Sequence, residues 1–319
     1  MPILLSTPAI ETPPTQRRLL GRLLAFGPLG LLWLGLEVGL RLWPGDFARK
    51  QQQFLAGRAR WETLILGSSH TYIGLDPSYF GPNTYNLAYF SQPPYYDCQF
   101  IEQNLLRMPR LRRVIVPLSY PSLAGNPFDA SGGPTMVYLY HRYAHLDYPE
   151  LHSNFSLYNY SLVALYTPAL SVNKLWKQWW PAPKYSWQTA TGWLEQVVVY
   201  PPIQDAPEAL ARYHKAMQQE NIARTEAELD STAARLRRRG IELILITTPV
   251  QPAYAAGARP TIVARNRAAA QRLVQRYGAR YYDFWQDPRF SLSDFADADH
   301  LNARGAARLS RLLADTLRR

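Results

Sequence analysis

Cysteine is nearly absent from this chain of 319 residues, in which Cys98 stands alone. A single thiol excludes a disulfide framework within the chain, a cysteine-ligated metal cluster and a Cys-x-x-Cys redox motif. Internal repeats and low-complexity tracts are also absent. Hydrophobic residues make up 47% of the sequence, which is ample for a packed core, so we expect a globular protein.

Acidic residues are in the minority, with 24 Asp and Glu against 35 Lys and Arg, and the formal net charge is +11. An excess of this kind is typical of proteins that bind nucleic acid or anionic lipid. The arginines are spread over predicted helices and do not accompany a recognisable nucleic-acid motif, so we expect no nucleic-acid partner. A surface near anionic lipid and a coding bias towards arginine both stay open as explanations.

An uninterrupted apolar run of the ~20 residues that a spanning helix prefers is missing as well. The segment 19–43 is nevertheless rich in leucine and carries no charge from 23 to 36, although Pro28 interrupts it. We expect a single-pass membrane anchor at 19–43, preceded by a cytoplasmic tail at 1–18. A cleaved signal peptide and a buried amphipathic helix are the alternatives, but no clear cleavage site follows the apolar run.

After a linker at 44–60, strand-like and helical patterns alternate through a domain at 61–319. Apolar, β-rich runs predict strands at Thr63–Leu66, Thr84–Leu87, Val114–Leu118, Ile241–Thr247 and Arg280–Phe284. Helical patterns occupy Tyr96–Arg107, Pro207–Arg239, Thr261–Tyr277 and Ala303–Arg318. This alternation predicts a parallel sheet in an α/β fold. The run at 241–247 is almost uniformly apolar, which is typical of the middle strand of such a sheet.

One region, at about 121–202, breaks this alternation. It is rich in Tyr and Trp and has no steady helical or strand period. We interpret it as a large insertion over one end of the sheet. A small auxiliary core of aromatic side chains is the simpler interpretation, because such side chains are more often buried than exposed to a ligand. A lid, or a platform on which sugar rings stack, is the alternative.

Two polar motifs, far apart in the chain, contain the residues of a nucleophilic triad. The stretch LILGSSH places Ser68 and Ser69 directly after the first predicted strand, at the edge where open α/β sheets bind their ligands. The stretch DADHLN, before the last helix, contains Asp297, Asp299 and His300. In a triad the histidine accepts the serine proton and the carboxylate orients the imidazole. Either motif alone is more readily explained as a turn or as an acidic helix cap.

Together and in this order, ILGSSHTYIGLDP and DADHLNARGA resemble the motifs of the SGNH, or GDSL-like, hydrolase superfamily. The branch they resemble most is the membrane-anchored one of the alginate O-acetyltransferases and the D-alanylation protein of teichoic acid synthesis. The resemblance covers about 60–319 without the aromatic insertion, and it implies a three-layer α/β/α sandwich with a flavodoxin-like parallel sheet. It also implies Ser69 as nucleophile, His300 as base and Asp297 as orienting carboxylate. An Asp-x-His variant of the motif would assign the last role to Asp299, which we otherwise expect to face solvent or to cap the following helix.

The resemblance also implies an oxyanion site, where the chain departs from the family pattern. Asn86 matches the asparagine of the second block, but the glycine of that block, whose amide serves the oxyanion, is Ser91 here. In the third block, the family's Gly-x-Asn is replaced by Pro117, Leu118 and Ser119. The hydroxyl of Ser119 thus takes the place of the family's side-chain amide donor. We expect the backbone amides of Ser69 and Ser91 to face the oxyanion. Two further side chains are candidate donors: Gln92 and Tyr120.

The function implied by this resemblance is that of a membrane-anchored serine esterase or O-acyltransferase working through an acyl-enzyme. We expect its substrate to be an acyl ester, with acetyl favoured, of a cell-envelope or exopolysaccharide carbohydrate on the outer side of the cytoplasmic membrane. A membrane-bound acyl donor protein is a possible partner, and neither a cofactor nor a metal ion is expected. The competing expectation is a non-catalytic glycan-binding or assembly component, and a lipase acting on membrane lipids is a third. His70, directly after the nucleophile, is expected to be structural rather than the catalytic base.

Overall fold

The computed structural model describes the backbone of residues 14–42, 45–125, 133–146, 157–179, 188–195, 206–217 and 220–318. The chain divides into two compact units. The larger unit comprises Pro44–Phe155 and Pro181–Arg319 and contains the sheet, whereas the smaller comprises Met1–Trp43 and Ser156–Trp180. The predicted aromatic insertion at 121–202 is therefore not one body, because its middle part belongs to the smaller unit.

Five parallel strands form the sheet, in the order β2-β1-β3-β4-β5. They are β1 (Thr63–Ile65), β2 (Thr84–Asn86), β3 (Arg113–Pro117), β4 (Glu242–Thr247) and β5 (Arg280–Asp283). Each lies where the sequence predicted a strand, and the order is the flavodoxin-like one. In such a sheet the connections from β1 and β3 lead to opposite sides, which opens a crevice at the carboxyl ends of these two neighbours.

The position of β4 corrects one expectation. The middle strand of the sheet is β3, and β4 lies between β3 and the edge strand β5. Residues Ile244 to Ile246 are nevertheless fully buried, because β4 has a hydrogen-bonded neighbour on each side and is covered on both faces. A uniformly apolar run therefore indicates a strand covered on both faces but does not give its rank in the sheet.

The helices of the described residues are α1 (Pro14–Leu42), α2 (Asp46–Gly57), α3 (Ser69–Gly74), α4 (Pro94–Asn104), α5 (Gly133–Leu139), α6 (Leu162–Tyr166), α7 (Pro168–Trp179), α8 (Ala206–Ala216), α9 (Glu220–Arg238), α10 (Pro252–Gly257), α11 (Pro260–Tyr277) and α12 (Ala303–Arg318). The single helical pattern predicted at 207–239 thus forms two helices, α8 and α9. In the larger unit, α4 and α11 pack against α9, whereas α12 packs against α3.

Strands β1 to β4 are buried on both faces, as a three-layer α/β/α sandwich requires. On one face, Ile65, Ile115 and Ile244 share a core cluster with α12, which contributes Leu309 and Leu313 at a helical spacing. Successive strand residues point to opposite faces, and the neighbours of these isoleucines are buried too: Leu64, Val114 and Leu245. The layered α/β architecture expected from the sequence is therefore present in the larger unit.

Residues 44–60, expected to form a linker, include a helix of the larger unit. The α2 helix buries Phe47 and Phe54 completely or almost completely. Trp61 Nε1 donates to the backbone oxygen of Phe54 at 3.1 Å, which fixes the end of α2 to the start of β1. The segment was misjudged because its apolar residues are few and are separated by polar ones such as Lys50, which is itself buried.

The smaller unit contains α1, which covers most of the predicted anchor at 19–43; residues 1–13 of the predicted tail lie outside the described residues. Within this unit, Glu37 accepts hydrogen bonds from Ser161 Oγ at 2.9 Å and from Val163 N at 3.1 Å. No helix among the described residues combines the length and the apolar character needed to cross a membrane.

Candidate active site

The turn after β1 places Ser69 at the carboxyl edge of the sheet. Gly67 has φ +108°, and a Cβ atom at this position would lie 2.1 Å from Pro117 Cγ, so that only glycine fits. The chain can thus turn sharply beside the end of β3, after which Ser68 precedes α3 and Ser69 is its first residue. Ser69 consequently lies at the switch point between β1 and β3, as the position of its motif predicted.

Ser69, His300 and Asp297 are brought together from opposite ends of the chain. The Ser69 Oγ atom lies 2.7 Å from His300 Nε2. On the other side of the ring, His300 Nδ1 lies 3.0 Å from Asp297 Oδ1 and 2.9 Å from Oδ2. Nδ1–H donates to the carboxylate, which leaves Nε2 of the neutral ring as the acceptor for the serine proton. These contacts have the order and the distances of a Ser-His-Asp relay.

The loop that holds the histidine is fixed by its own hydrogen bonds. Asp297 Oδ1 accepts from the backbone N–H of Asp299 at 3.0 Å and from that of His300 at 2.7 Å, which closes a tight turn. Gln251 Nε2 donates to the backbone oxygen of Asp297 at 2.9 Å, and Gln251 N donates to Ala298 O at 3.0 Å. The imidazole is therefore oriented by a loop that is attached to the start of α10.

Asp299 is buried, which corrects the expectation that it faces solvent or caps a helix. Only 1% of its side chain is exposed. Its Oδ2 atom accepts from the Tyr213 hydroxyl at 2.7 Å and lies 3.1 Å from His70 Nε2, and its Oδ1 atom lies 3.4 Å from His300 Nδ1. Asp297 lies closer to His300 Nδ1, so the orienting role expected of Asp297 agrees with the distances, and Asp299 is a second carboxylate beside the same nitrogen.

His70 does not contact the Ser69 hydroxyl. Its Nε2 donates to Asp299 Oδ2 at 3.1 Å, and its Nδ1 lies 3.1 Å from the Ser68 hydroxyl oxygen. The ring stacks on the ring of His300, with centroids 4.9 Å apart and an interplanar angle of 11°. His70 therefore belongs to a second serine-histidine-carboxylate series beside the first.

These contacts shift the pKa values of the buried groups. Burial by itself lowers the pKa of His300, but the carboxylates of Asp299 and Asp297 outweigh it and raise the pKa to about 10. Burial likewise raises the pKa of Asp299, yet His300 and His70 hold that pKa well below its usual value. Burial and the charge of Asp299 raise the pKa of Tyr213 well above its usual value, so its hydroxyl remains a donor. The cluster therefore favours a charged pair of His300 and a neighbouring carboxylate.

Asn86, expected in the oxyanion site, is fully buried and contacts α3 instead. Its Nδ2 atom donates to the backbone oxygens of Thr71 at 2.8 Å and of Leu75 at 3.0 Å, and its Oδ1 atom accepts from Ala88 N at 3.1 Å. Both side-chain N–H groups are thus occupied, and neither is left for an oxyanion. We therefore correct its expected role: Asn86 holds the helix that begins with the nucleophile against the end of β2.

Ser91, where the family pattern has glycine, adopts φ +53°, a backbone conformation that favours glycine. The turn around it is closed by Gln92 N, which donates to Tyr89 O at 3.2 Å. Tyr89 N in turn donates to Gly67 O at 3.0 Å, so this turn is bonded directly to the turn of the nucleophile. Ser91 therefore lies in a glycine-favoured conformation in a turn that is bonded to the turn of the nucleophile.

Ser119 and Tyr120, two other candidate donors, are both buried and have partners away from Ser69. The Ser119 hydroxyl lies 3.5 Å from Thr248 Oγ1. The Tyr120 hydroxyl lies 2.8 Å from His214 Nε2 and accepts from Arg259 N at 2.8 Å. Neither hydroxyl contacts a residue of the Ser-His-Asp relay, so the structure does not bring these candidates to the nucleophile.

Asp97, which sequence reasoning missed, lies beneath the turn of the nucleophile. Its Oδ1 atom accepts from Gly67 N at 2.9 Å and from Gln92 Nε2 at 2.6 Å, while the Tyr140 hydroxyl donates to Gln92 Oε1 at 2.7 Å. One N–H of the Gln92 amide is therefore engaged with Asp97. Burial raises the pKa of Asp97 to about 7, although the bonds from Gln92 and Gly67 lower it. In the sequence, the only signal for this role was an acidic residue between Tyr96 and Cys98 in the predicted helix 96–107.

One group of potential metal ligands occurs among the described residues, namely His70, Asp299 and His300, with ligand atoms within 4.8 Å of one another. All four ring nitrogens of these histidines already have hydrogen-bond partners in the protein. We therefore assign these atoms to the hydrogen-bond network.

No protein-family model matches the chain, and no curated protein matches it. Among solved structures, a GDSL-like lipase from Bacteroides thetaiotaomicron is similar over 86% of this chain and 98% of its own, with 10% identity and a TM-score of 0.41. A carbohydrate acetylesterase from Sinorhizobium meliloti is similar over 81% of this chain and 98% of its own, with 11% identity and a TM-score of 0.33. Similarity at this level carries no argument about activity, so the function must be inferred from the geometry of the site.

Proposed function

We propose that this chain is an SGNH-type serine esterase or O-acyltransferase that works through an acyl-enzyme on Ser69. The observation that carries the proposal is the position of Ser69 Oγ, 2.7 Å from His300 Nε2, while Asp297 binds the other nitrogen of the ring at 2.9 Å. A histidine held in this way can accept the serine proton as the hydroxyl attacks. The order of the two motifs in the chain, which resembles the SGNH pattern, supports the same assignment.

The reaction has two steps that use the same three side chains. Ser69 Oγ attacks the acyl carbonyl while its proton passes to His300 Nε2, and the resulting imidazolium then protonates the departing alkoxide. The acyl group is now an ester of Ser69. In the second step, His300 accepts a proton from water or from an acceptor hydroxyl, which attacks the ester and releases the acyl group. Water as the attacking molecule makes the enzyme an esterase, and a sugar hydroxyl makes it a transferase.

We place the oxyanion between the backbone amides of Ser69 and Ser91. Ser69 N lies in the first turn of α3, where a helix leaves its N–H groups without helical partners. Ser91 adopts φ +53°, a backbone conformation that favours glycine. The family's third donor, a side-chain amide, is replaced by the hydroxyl of Ser119. Loss of one such donor costs about 3 kcal/mol of transition-state stabilisation, so slow turnover is expected.

For the substrate, we propose an acyl ester, most simply an acetyl ester, of a cell-envelope or exopolysaccharide carbohydrate. The resemblance of the two motifs to the branch with alginate O-acetyltransferases supports this class. A membrane-bound protein would then be the acyl donor in a transfer reaction. Comparing an acetylated sugar with long-chain esters distinguishes this proposal from a lipase, because a lipase would prefer the long chains.

We also propose that α1 attaches the chain to the cytoplasmic membrane, with the catalytic domain outside the cytoplasm. Large apolar side chains are exposed along its described part, and lipid would cover them: Phe26, Leu29, Leu31, Leu32, Leu34 and Leu42. Fractionation of cells that produce the full chain tests the attachment, and a reporter fused to the C-terminus tests the side. A chain recovered entirely without membrane would contradict the attachment.

A fluorophosphonate probe, which labels activated serines, tests the nucleophile. We expect the full-length protein to be labelled and Ser69→Ala not to be. Ser78→Ala is the matched control, because Ser78 is exposed and lies outside the relay, and it should be labelled like the wild type. Labelling that persists in Ser69→Ala would overturn the assignment. If the wild type is not labelled and does not turn over an acetyl ester, the non-catalytic glycan-binding component is favoured. The missing amide donor at Ser119 also favours that component.

A further inference from the structure

The Asp299 carboxylate lies between two histidines. His70 Nε2 approaches Oδ2 at 3.1 Å, and His300 Nδ1 approaches Oδ1 at 3.4 Å. The Tyr213 hydroxyl also donates to Oδ2, at 2.7 Å. These contacts come from three separate parts of the chain, since Tyr213 lies on α8, His70 on α3 and His300 in the loop before α12. The position of the carboxylate is therefore fixed by contacts from two helices as well as by its own loop.

The burial of Asp299 raises the question of what compensates its charge. Only 1% of the side chain is exposed, and removing an ionised carboxylate from water costs several kcal/mol unless it is paired. Among the described residues, the basic side chains within ion-pair distance of it are His70 and His300. His70 Nε2 donates to Oδ2, while Oδ1 of the same carboxylate faces His300 Nδ1. The imidazolium of His300 is therefore one cation that Asp299 can meet.

The stacking of the two rings strengthens this argument. Their planes differ by 11° and their centroids are 4.9 Å apart, so His70 covers one face of the His300 ring. Because the two rings lie so close, a carboxylate that faces both of them is placed to meet the positive charge that forms on His300.

We propose that Asp299 is a second positioning carboxylate of His300, held in place by His70 and Tyr213, so that the imidazolium formed during acyl transfer lies between two carboxylates. This inference rests on the proposed function. The proton that leaves Ser69 Oγ passes to His300 Nε2, and the positive charge is then shared with Asp297 and Asp299 until the proton reaches the leaving oxygen. No group is oxidised or reduced, and the proton returns to the departing alkoxide.

The other groups that influence this cluster are few. Asp297 faces His300 from the same loop, and Tyr213 and Tyr254 face Asp299 from α8 and α10. Arg212, next to Tyr213 on α8, also acts on this cluster through its charge. Both carboxylates raise the pKa of His300 against the effect of burial, which agrees with the contact geometry. A single orienting carboxylate would leave the histidine a weaker base.

The test is a pH titration of His300 by NMR in the full-length protein with labelled histidine, its signal identified by its loss in His300→Gln. In the wild type we expect the ring to stay protonated well above the pH at which an ordinary histidine titrates. In Asp299→Asn we expect the pKa of His300 to fall by ~1 unit or more, because a charge within about 4–6 Å shifts a pKa by 1–3 units. The low-pH limb of kcat/KM should move by the same amount. Asp315→Asn, an exposed carboxylate on α12, is the matched control and should change neither.

The outcomes separate this inference from the proposed function. An unchanged pKa of His300 in folded Asp299→Asn would overturn the role of Asp299, whatever the activity. If that variant does not fold, an ordinary histidine pKa for His300 in the wild type would overturn it equally. If no substrate is turned over and Ser69 is not labelled, the proposed function fails, while the titration still decides whether two carboxylates act on the ring.

Discussion

The rings of His70 and His300 are stacked 4.9 Å apart, and each is bonded to a serine through one nitrogen and to a carboxylate through the other. The directions are opposite: His300 meets its serine through Nε2, whereas His70 meets Ser68 through Nδ1. Asp299 connects the two series, because its oxygens face both rings. Two relays built from adjacent serines thus share one buried carboxylate.

Removal of Ser69 or His300 should abolish acyl transfer, and the two losses should not add. We expect Ser69→Ala and His300→Gln each to lower kcat by at least about a thousandfold, because the nucleophile and its base act in the same step. The double variant should be no slower than the slower single one. Hydrolysis of a chromogenic acetyl ester measures the rates, with circular dichroism as the check on folding. Losses that multiply in the double variant would contradict a shared relay.

Activity should increase towards alkaline pH. The base form of His300 is the neutral ring, and the nearby carboxylates, acting against burial, raise its pKa to about 10. The fraction of enzyme that can accept the Ser69 proton therefore grows as the pH approaches that value, and it falls below it. A pH profile of kcat/KM should show its low-pH limb well above the ordinary imidazole range. A limb centred near an ordinary histidine pKa would show that the carboxylates do not control this ring.

The sequence predicted the strands and the relay because both leave local signals. Uniform apolar runs indicated the strands, and short motifs with a family resemblance indicated Ser69, Asp297 and His300. The burial of Asp299 left no such signal, since it depends on Tyr213, which lies on a distant helix whose pattern is merely amphipathic. The role of Asn86 was misjudged for a related reason: a motif position gives the residue type but not which backbone groups its amide will meet.

Replacing Asp97 with asparagine should stabilise the protein at neutral and alkaline pH. Burial raises the pKa of this carboxyl from 3.8 to about 7 in the folded chain. The folded state therefore holds a proton that the unfolded chain releases, so the stabilising effect is complete below pH 3.8 and is lost as the pH rises through about 7. In Asp97→Asn, Oδ1 can still accept from Gly67 N and Gln92 Nε2, and no charge is buried.

We therefore expect the free energy of unfolding of Asp97→Asn to exceed that of the wild type at pH 8 by an amount on the order of a few kcal/mol, and the two to converge near pH 4. Urea denaturation at both pH values measures this. Asp315→Asn, on the exposed face of α12, serves as the matched control and should leave the pH dependence unchanged. A variant less stable than the wild type at pH 8 would mean that the ionised carboxylate is stabilising.

Alanine variants at two glycines with nearly the same φ angle distinguish backbone strain from steric crowding. Gly67 and Gly81 have φ of +108° and +111°, but a Cβ at Gly67 would lie 2.1 Å from Pro117 Cγ, whereas none of the described atoms lies within 4 Å at Gly81. Both alanine variants should be strained, by roughly 1–3 kcal/mol. Gly67→Ala should lose more stability and also most of its activity, because the turn that presents Ser69 must move. Equal melting temperatures for the two variants would contradict the close approach to Pro117.

Asn86→Ala distinguishes a residue that holds α3 from one that binds the oxyanion. The variant leaves the buried carbonyls of Thr71 and Leu75 without their donor, and each unsatisfied group costs ~1–3 kcal/mol, so the midpoint of urea denaturation should fall clearly. The kcat of the folded variant should fall by less than about tenfold, since an oxyanion donor would cost a hundredfold or more. Ser119→Ala, in which no relay contact is lost, should change neither quantity much. A loss of a hundredfold in kcat with unchanged stability would restore Asn86 to the oxyanion site.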